Sequence, residues 1–369
     1  MSSSVDSPVA VAGKGMLRVV FYSAILFSVF QLVTSAFSPL SSTVVRALHV
    51  GFLLLLTFLL HPVQGGQGRT SLATKVIGFG ALLLSGYHWI YEADLVQRAG
   101  ELTQADMVVG VVTLVLVFEA ARRIMGLALP LICLGFLAYA LFGEYLPGEL
   151  AHRGYGLDQV VGQLAFGTEG IYGTPTYVSS SYIFLFILFG AFLEQAGMID
   201  LFTNFALGTV GHTKGGPAKV AVVSSGLMGT INGSGVANVV TTGQFTIPLM
   251  KKFGYTPAFA GAVEATSSMG GQIMPPVMGA VAFIMAETIN VPYVEIAKAA
   301  AIPAMLYFFT VFWMVHLEAG RAGLKGLPKE ECPDPWVAIR ARWYLLLPLV
   351  GLVYLLFAGF TPMFAGMVG

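Results

Sequence analysis

The sequence predicts an all-α protein that crosses a membrane many times. Three features predict it. Of 369 residues, 56% are hydrophobic and only 10% charged, whereas a soluble chain carries about 25% charged residues. The mean hydropathy is +0.79. The apolar residues also come in runs too long for the core helices of a soluble domain. Basic and acidic residues number 19 each, so no basic excess points to nucleic acid as a partner. Cys133 and Cys332 form no framework and no CxxC pair, and both are expected to be inert.

The apolar runs are taken in chain order. Spans are expected near residues 19–37, 45–61, 75–91, 107–121, 126–142 and 178–196. A re-entrant hairpin near 217–250 follows, then a broken span near 256–287 and two last spans near 297–316 and 343–360. That makes about nine transmembrane spans plus one re-entrant helical hairpin. The first run follows a short polar tail, and Thr34-Ser35-Ala36 is weakly cleavage-like. The run is longer than a signal-peptide core and another span follows at once, so it reads as a retained helix. His88, with Tyr87, Trp89 and Tyr91, reads as part of an aromatic belt. Glu119 is expected to pair with Arg122 and Arg123 at helical spacing. The stretch LDQVVGQLAF (157–166) is mildly amphipathic and is expected to form a short helix along the outer surface. The segment 317–341, with Pro328, Pro333 and Pro335, is the main polar linker.

Charge placement tests this layout. With the N-terminus in the cytoplasm, Arg46, Arg98, Arg153 and Lys298 face outward and the other basic residues face inward, as the positive-inside rule requires. The split holds only if 217–250 enters and leaves from the cytoplasmic side. A single crossing there would carry Lys251 and Lys252 outward.

Residues 229–235 read GTINGSG in the middle of an apolar segment. Gly loses backbone entropy in a helix, and short polar side chains compete for its hydrogen bonds. The helix is therefore expected to open here. Opened backbone inside a bilayer must be buried in protein or line a wet cavity. Thr230, Asn232, Ser234 and Asn238 offer oxygens, and the opened helix ends offer carbonyls to a cation such as sodium. The N-terminus of the second arm can face an anion. The alternative is a Gly229/Gly233 packing face on a continuous helix.

In the next span, Gly270-Gly271-Gln272 precedes Pro275-Pro276. Two prolines remove two backbone donors and restrict their neighbours, so the helix is expected to open around 270–276. A simple proline kink is the alternative. Glu264 lies deep in the same span without a basic neighbour at helical spacing. An intramembrane carboxylate is a functional-site hypothesis by default. It can bind sodium, carry a coupling proton, or hold the hairpin by hydrogen bonds. The histidines do not cluster, and no HExxH, Walker A or GxSxG motif occurs.

The stretch from Gly229 to Glu287, with its GQIMPPVMGA wording, resembles the large membrane subunit of tripartite ATP-independent periplasmic (TRAP) transporters. The resemblance is to the branch with fused small and large membrane subunits, served by TAXI-type solute-binding proteins. It implies a four-helix small-subunit-like region over 1–124, a joining helix over 125–145, and the first half of the large-subunit-like transport region over 146–369. It implies a sodium-driven importer of a small organic anion, located in the bacterial inner membrane and working by an elevator mechanism. It also implies a sodium site built from Asn232, Gly233, Ser234 and Gly235 at the tip and from Gly270 and Gly271 in the break, with Na+ at Asn232, Ser234 and Gly270. Glu264 lies where this branch often carries a Glu. The family has two inverted halves, each with a hairpin. This sequence ends at Gly369 after the first, and a continuation or a completing chain is expected to supply the second. The competing functions are a non-coupled channel or structural subunit, and a membrane-embedded enzyme using Glu264 as a base.

Overall fold

A computed structural model describes residues 14–61, 72–98 and 100–368. The polar tail before Lys14, and Arg69, which enters the charge count, lie outside the described residues. The regular structure among the described residues is helical, with no strand. They divide into two compact units, Met1–Ser180 and Ser181–Gly369. This is a division by packing. The sequence-based boundaries at 124 and 145 concern a different property, likeness to a small subunit.

The first unit contains α1 (Lys14–Phe37), α2 (Ser42–Leu60), α3 (Leu72–Ser85), α4 (Tyr87–Ile90), α5 (Glu92–Arg98), α6 (Gln104–Met125), α7 (Ala128–Phe142), α8 (Leu157–Val161) and α9 (Thr174–Val178). Its core joins Leu54 and Phe58 of α2 to Ala81 of α3 and Ala120 of α6. Small residues on α3 and α6 let α2 lay its large side chains against both. The α6 N-terminus is fixed by a capping box between Thr103 and Asp106, which satisfies donors that the first helical turn leaves open. Arg98 and the Tyr87 hydroxyl each donate to Asp106 at 2.6 Å. At the other end of α6, Glu119 pairs with Arg122 and Arg123 at 2.7 Å each, as the spacing predicts.

Two expectations for this unit are corrected. His88 is buried, with its ring against Phe166 and Tyr172, so only its neighbours Trp89 and Tyr91 are exposed as a belt would be. The helix over 157–166 is α8 continued by a π-helical turn. Val160, Val161 and Ala165 are buried, and a side chain on Gly110 of α6 would strike Val161 and Phe166. Part of its apolar face is thus taken up by α6, while Leu157 stays exposed.

The second unit contains α10 (Phe184–Gln195), α11 (Met198–Val210), α12 (Gly216–Asn232), α13 (Gly235–Lys252), α14 (Pro257–Gly270), α15 (Ala280–Ile289), α16 (Tyr293–Arg321), α17 (Pro335–Arg342), α18 (Leu346–Phe357) and α19 (Pro362–Val368). Its core gathers Ala218, Ala221 and Val222 of α12, Met250 of α13, Ala260 and Val263 of α14, and Val315 and Ala319 of α16. Ala206 and Leu207 of α11 close on Val220. The α12–α13 pair therefore sits inside the unit, wrapped by α11, α14 and α16.

Six helical stretches among the described residues are long and apolar enough to cross a membrane: Gly15–Phe37, Ser42–Leu60, Ala128–Tyr145, Thr174–Gln195, Tyr293–Arg321 and Lys329–Phe357. The other three predicted spans are helical but differ in kind. Residues 75–91 are split between α3 and α4 at Gly86. Residues 107–121 lie in α6, whose 22 residues include Asp106, Glu119, Arg122 and Arg123. Residues 256–287 are interrupted between α14 and α15.

Candidate functional site: a hairpin tip against an unwound helix

The hairpin is two antiparallel helices. The Ser225 and Thr242 hydroxyls lie 3.2 Å apart, and the Asn238 Nδ2 donates to the Ser225 carbonyl at 2.8 Å. The chain reverses over only two residues. Gly233 has φ +58° and Ser234 is extended. A left-handed residue is nearly free for Gly and strained for others. A side chain at Gly233 would also run into the Met278 carbonyl. The Ser234 Oγ caps α13 by accepting from the Ala237 N–H at 3.3 Å, a standard N-cap.

The helix opens over less of the GTINGSG segment than its composition predicts. Gly229 and Thr230 remain helical. The Thr230 hydroxyl donates to the Leu227 carbonyl at 2.6 Å, so it supports its own helix and does not face the tip. Gly229 is needed for a different reason. A Cβ on Gly271 would lie 2.9 Å from the Gly229 Cα, so α12 and the break meet backbone to backbone. The continuous-helix alternative does not hold, because α12 ends at Asn232 and Gly233 turns the chain; only Gly229 serves close packing.

The break is longer than the 270–276 expected. α14 ends at Gly270, a single 3₁₀ turn covers Gly271–Ile273, and regular helix resumes only at Ala280. The Gly279 N–H donates to the Gln272 carbonyl at 2.7 Å, which closes the unwound loop. The Tyr293 hydroxyl donates to the Pro276 carbonyl at 3.0 Å and also reaches the Val277 carbonyl. A side chain on Gly270 would collide with the rings of Tyr307 and Phe308 of α16. Gly270 and Gly271 therefore serve close packing on opposite sides of the break.

Hairpin tip and unwound loop flank a half-open pocket of about 280 Å³. Asn232, Gly233, Ser234, Gly235 and Gln272 line it, with Phe186, Met278 and Phe283 among its apolar walls. The carboxyl ends of α12 and α14 and the amino ends of α13 and α15 converge around this region. A helix leaves its last carbonyls and first N–H groups unpaired, with partial negative and positive charge respectively. The region thus carries acceptors for a cation and donors for an anion side by side. The donor set is all oxygen on the cation side, which fits a hard alkali cation better than a soft metal.

Seven of the ten predicted residues fall into two layers; Thr230 supports its own helix, and Gly270 and Gly271 pack in the break, so Gly270 does not line the tip cavity with Asn232 and Ser234. Asn232, Gly233, Ser234, Gly235 and Gln272 meet at the tip cavity. Glu264 and Asn238 lie deeper between the helices, both fully buried. Glu264 is surrounded by hydroxyls from three helices. Its Oε1 accepts from Thr242 at 2.5 Å, Ser268 at 2.9 Å and Ser225 at 3.3 Å, and its Oε2 accepts from Thr246. No ion pair reaches Glu264 among the described residues. Its geometry matches the holding role, since Ser225 belongs to one hairpin arm, Thr242 and Thr246 to the other, and Glu264 to the broken helix.

One tip residue escapes the sequence reading. The Asn232 Nδ2 donates to Glu194 Oε1 at 3.0 Å, while the Asn232 Oδ1 accepts from the Ser234 N–H at 3.3 Å. Glu194 stands at the end of α10, where its position near a predicted span terminus concealed its role. The Glu264 cage has a fainter trace in the sequence: Thr242–Thr246 and Glu264–Ser268 are both i,i+4 pairs, which place their side chains on one helix face.

The chain is 29% identical over 179 residues to the C4-dicarboxylate TRAP transporter large permease protein DctM of Pseudomonas aeruginosa, covering 48% of this chain and 41% of that protein. It is 28% identical over 178 residues to the sialic acid TRAP transporter large permease protein SiaM of Vibrio cholerae, covering 48% and 41%. It is 24% identical over 184 residues to the 2,3-diketo-L-gulonate TRAP transporter large permease protein YiaN of Escherichia coli, covering 50% and 43%. The chain thus spans about two-fifths of the length of these relatives. Residues 112–369, more than half of the chain, match the family model for the tripartite ATP-independent periplasmic transporter, DctM component. With its helical membrane architecture, the chain therefore belongs to the DctM family of TRAP transporter permeases, which are transport components and not enzymes.

Proposed function

We propose that this chain is the membrane subunit of a sodium-coupled secondary transporter that imports a small organic acid delivered by a periplasmic solute-binding protein. The supporting observation is the hairpin tip seated against the unwound loop. It brings Asn232, Ser234, Gln272 and the adjoining ends of α12, α13 and α15 to one small cavity. Sodium is taken by the oxygen-bearing side, with Asn232, Ser234 and the carbonyls near Gly270 as ligands. The organic anion is favoured by the α13 and α15 amino ends.

The solute-binding protein is of the TAXI type, and residues 1–124 act as a fused small subunit. A continuation or a second chain supplies the other half of the permease. The protein lies in the cytoplasmic membrane with its N-terminus in the cytoplasm. The Glu264 cage supports an elevator motion, because it ties both hairpin arms to α14 and lets them move as one body.

The test needs no substrate. Sodium chloride is expected to raise the unfolding temperature of the solubilised chain relative to choline chloride at equal ionic strength, since a ligand bound only by the folded state stabilises it. Equal unfolding temperatures in the two salts, at concentrations up to hundreds of millimolar, would remove the sodium assignment.

A further inference from the structure

Between α6, α7 and the 153–171 segment of the first unit runs a groove of about 800 Å³. This lies within the roughly 300–1,000 Å³ of a small-molecule site. Its body is apolar, formed by Val117 and Phe118 of α6 and Phe136 and Leu137 of α7. One end is polar, formed by Arg153, Tyr155, Gln159 and Gln163.

Two independent features orient this groove in a bilayer. α7 is apolar on every side, and Leu131, Ile132, Leu134 and Phe136 are all exposed. A helix hydrophobic all round with that exposure faces hydrocarbon. Tyr139, Tyr145 and Tyr155 are exposed at the end of α7 where Arg153 lies, which is where tyrosines mark headgroup depth. The groove therefore runs from a polar mouth at the interface to an apolar channel along the membrane-spanning part of α6 and α7.

The mouth carries a cation that forms no ion pair among the described residues, although the Glu144 carboxyl packs beside the neighbouring Gly154. Arg153 is exposed, and its guanidinium lies 5.7 Å from the Tyr155 ring centroid. Gln159 uses its carbonyl oxygen to accept from the Gly156 N–H at 3.3 Å, which leaves its amide donors for another group. Arg presents a fork of donors matched to phosphate oxygens.

We propose that this groove is a phospholipid site, in which Arg153 binds the phosphodiester of a membrane lipid and one acyl chain lies between α6 and α7. The order of chemistry along the groove matches the order along the lipid, and the unpaired charge at its mouth is complementary to the phosphate.

The test uses the full chain in nanodiscs containing a phosphatidylglycerol probe with a photoactivatable acyl chain, and peptide mapping of the labelled protein. Labelling is expected on the groove-lining peptides of α6 and α7. Arg153→Gln is expected to lower it about fivefold, the equivalent of about 1 kcal/mol for one basic residue at an anionic surface. Leu137→Trp, which fills the channel and spares Arg153, is expected to lower it as well. Labelling of the exposed face of α16 around Phe309 and Trp313 serves as the control and stays constant. Groove labelling that ignores either substitution, or that only equals the α16 level in the wild-type chain, overturns the proposal. Absence of label from α6 and α7 also overturns it, since another segment or chain then covers the groove.

Discussion

Gly229 and Gly271 touch backbone to backbone: a Cβ on Gly271 would sit 2.9 Å from the Gly229 Cα. No side chain separates the first hairpin arm from the opening of the broken helix. Overpacking a well-packed site costs about 1–3 kcal/mol. Gly271→Ala is therefore expected to lower the unfolding temperature of the purified chain. Gly261→Ala, with open space around its Cβ position, should leave that temperature unchanged or raise it. Equal behaviour of the two variants would mean that the hairpin and the break do not meet.

The Glu264 cage separates two kinds of contribution. Interhelical hydrogen bonds in membranes average only about 0.6 kcal/mol each, because the unfolded chain in lipid also finds partners. Thr246→Val is accordingly expected to be mild. Glu264→Ala removes the shared acceptor of four hydroxyls. Each keeps a second partner, so the loss sums four such bonds and adds the cavity left by a fully buried side chain. Thermal unfolding should show a loss for Glu264→Ala several times that for Thr246→Val. Comparable losses would reduce Glu264 to one contact among many.

The Asn232–Glu194 pair leads to a third expectation. Asn232 is held at both ends of its side chain, by Glu194 and by the Ser234 N–H, so it is oriented before any ligand arrives. Hydrogen bonds to charged groups contribute about 1.5–3 kcal/mol. Asn232→Ala and Glu194→Gln are each expected to weaken sodium affinity by roughly tenfold or more, read from the sodium dependence of thermal unfolding. Ser234→Ala should weaken it too, with an added loss of about 1 kcal/mol in stability from the missing N-cap. A sodium response that survives all three substitutions would take the ion away from the tip.

Much of this architecture is legible in the sequence because glycine, proline and polar residues inside apolar runs have few local explanations. The turn at Gly233 and the opening beside Pro275-Pro276 are of this kind. The width of each opening is not legible. Thr230 can return its hydroxyl to its own helix, which keeps residues 229–232 helical despite their composition. The unwound loop extends to Gly279 because Gly279 N–H bonds Gln272, a contact that no spacing rule encodes. Glu264 stands out as an unpaired carboxylate, yet all its partners but Ser268 come from two other helix segments brought close only by folding. Glu194 is hidden for the converse reason, since an acidic residue near a predicted span end has an ordinary explanation in solvent. His88 misleads similarly, because an aromatic cluster at a span end looks the same whether lipid or Phe166 and Tyr172 surround it.

The remaining expectation concerns which way the hairpin faces. α12 and α13 have 17 and 18 residues, about 26 Å each at helical rise, slightly short of the roughly 30 Å hydrocarbon core. Their antiparallel packing brings the start of α12 and the end of α13 to the same side. Lys214, Lys251 and Lys252 lie at those ends and are exposed, which suits the cytoplasmic side. In a chain whose Cys133 and Cys332 are replaced by Ser, His212→Cys and Lys252→Cys are both exposed positions and should react with an impermeant maleimide from one face of the membrane. That face should be the cytoplasmic one, accessible in inverted vesicles and protected in intact cells. Reaction of the two positions from opposite faces would turn the segment into a single crossing. It would also reverse the orientation of everything after Lys252 and separate the tip from the unwound loop it rests on.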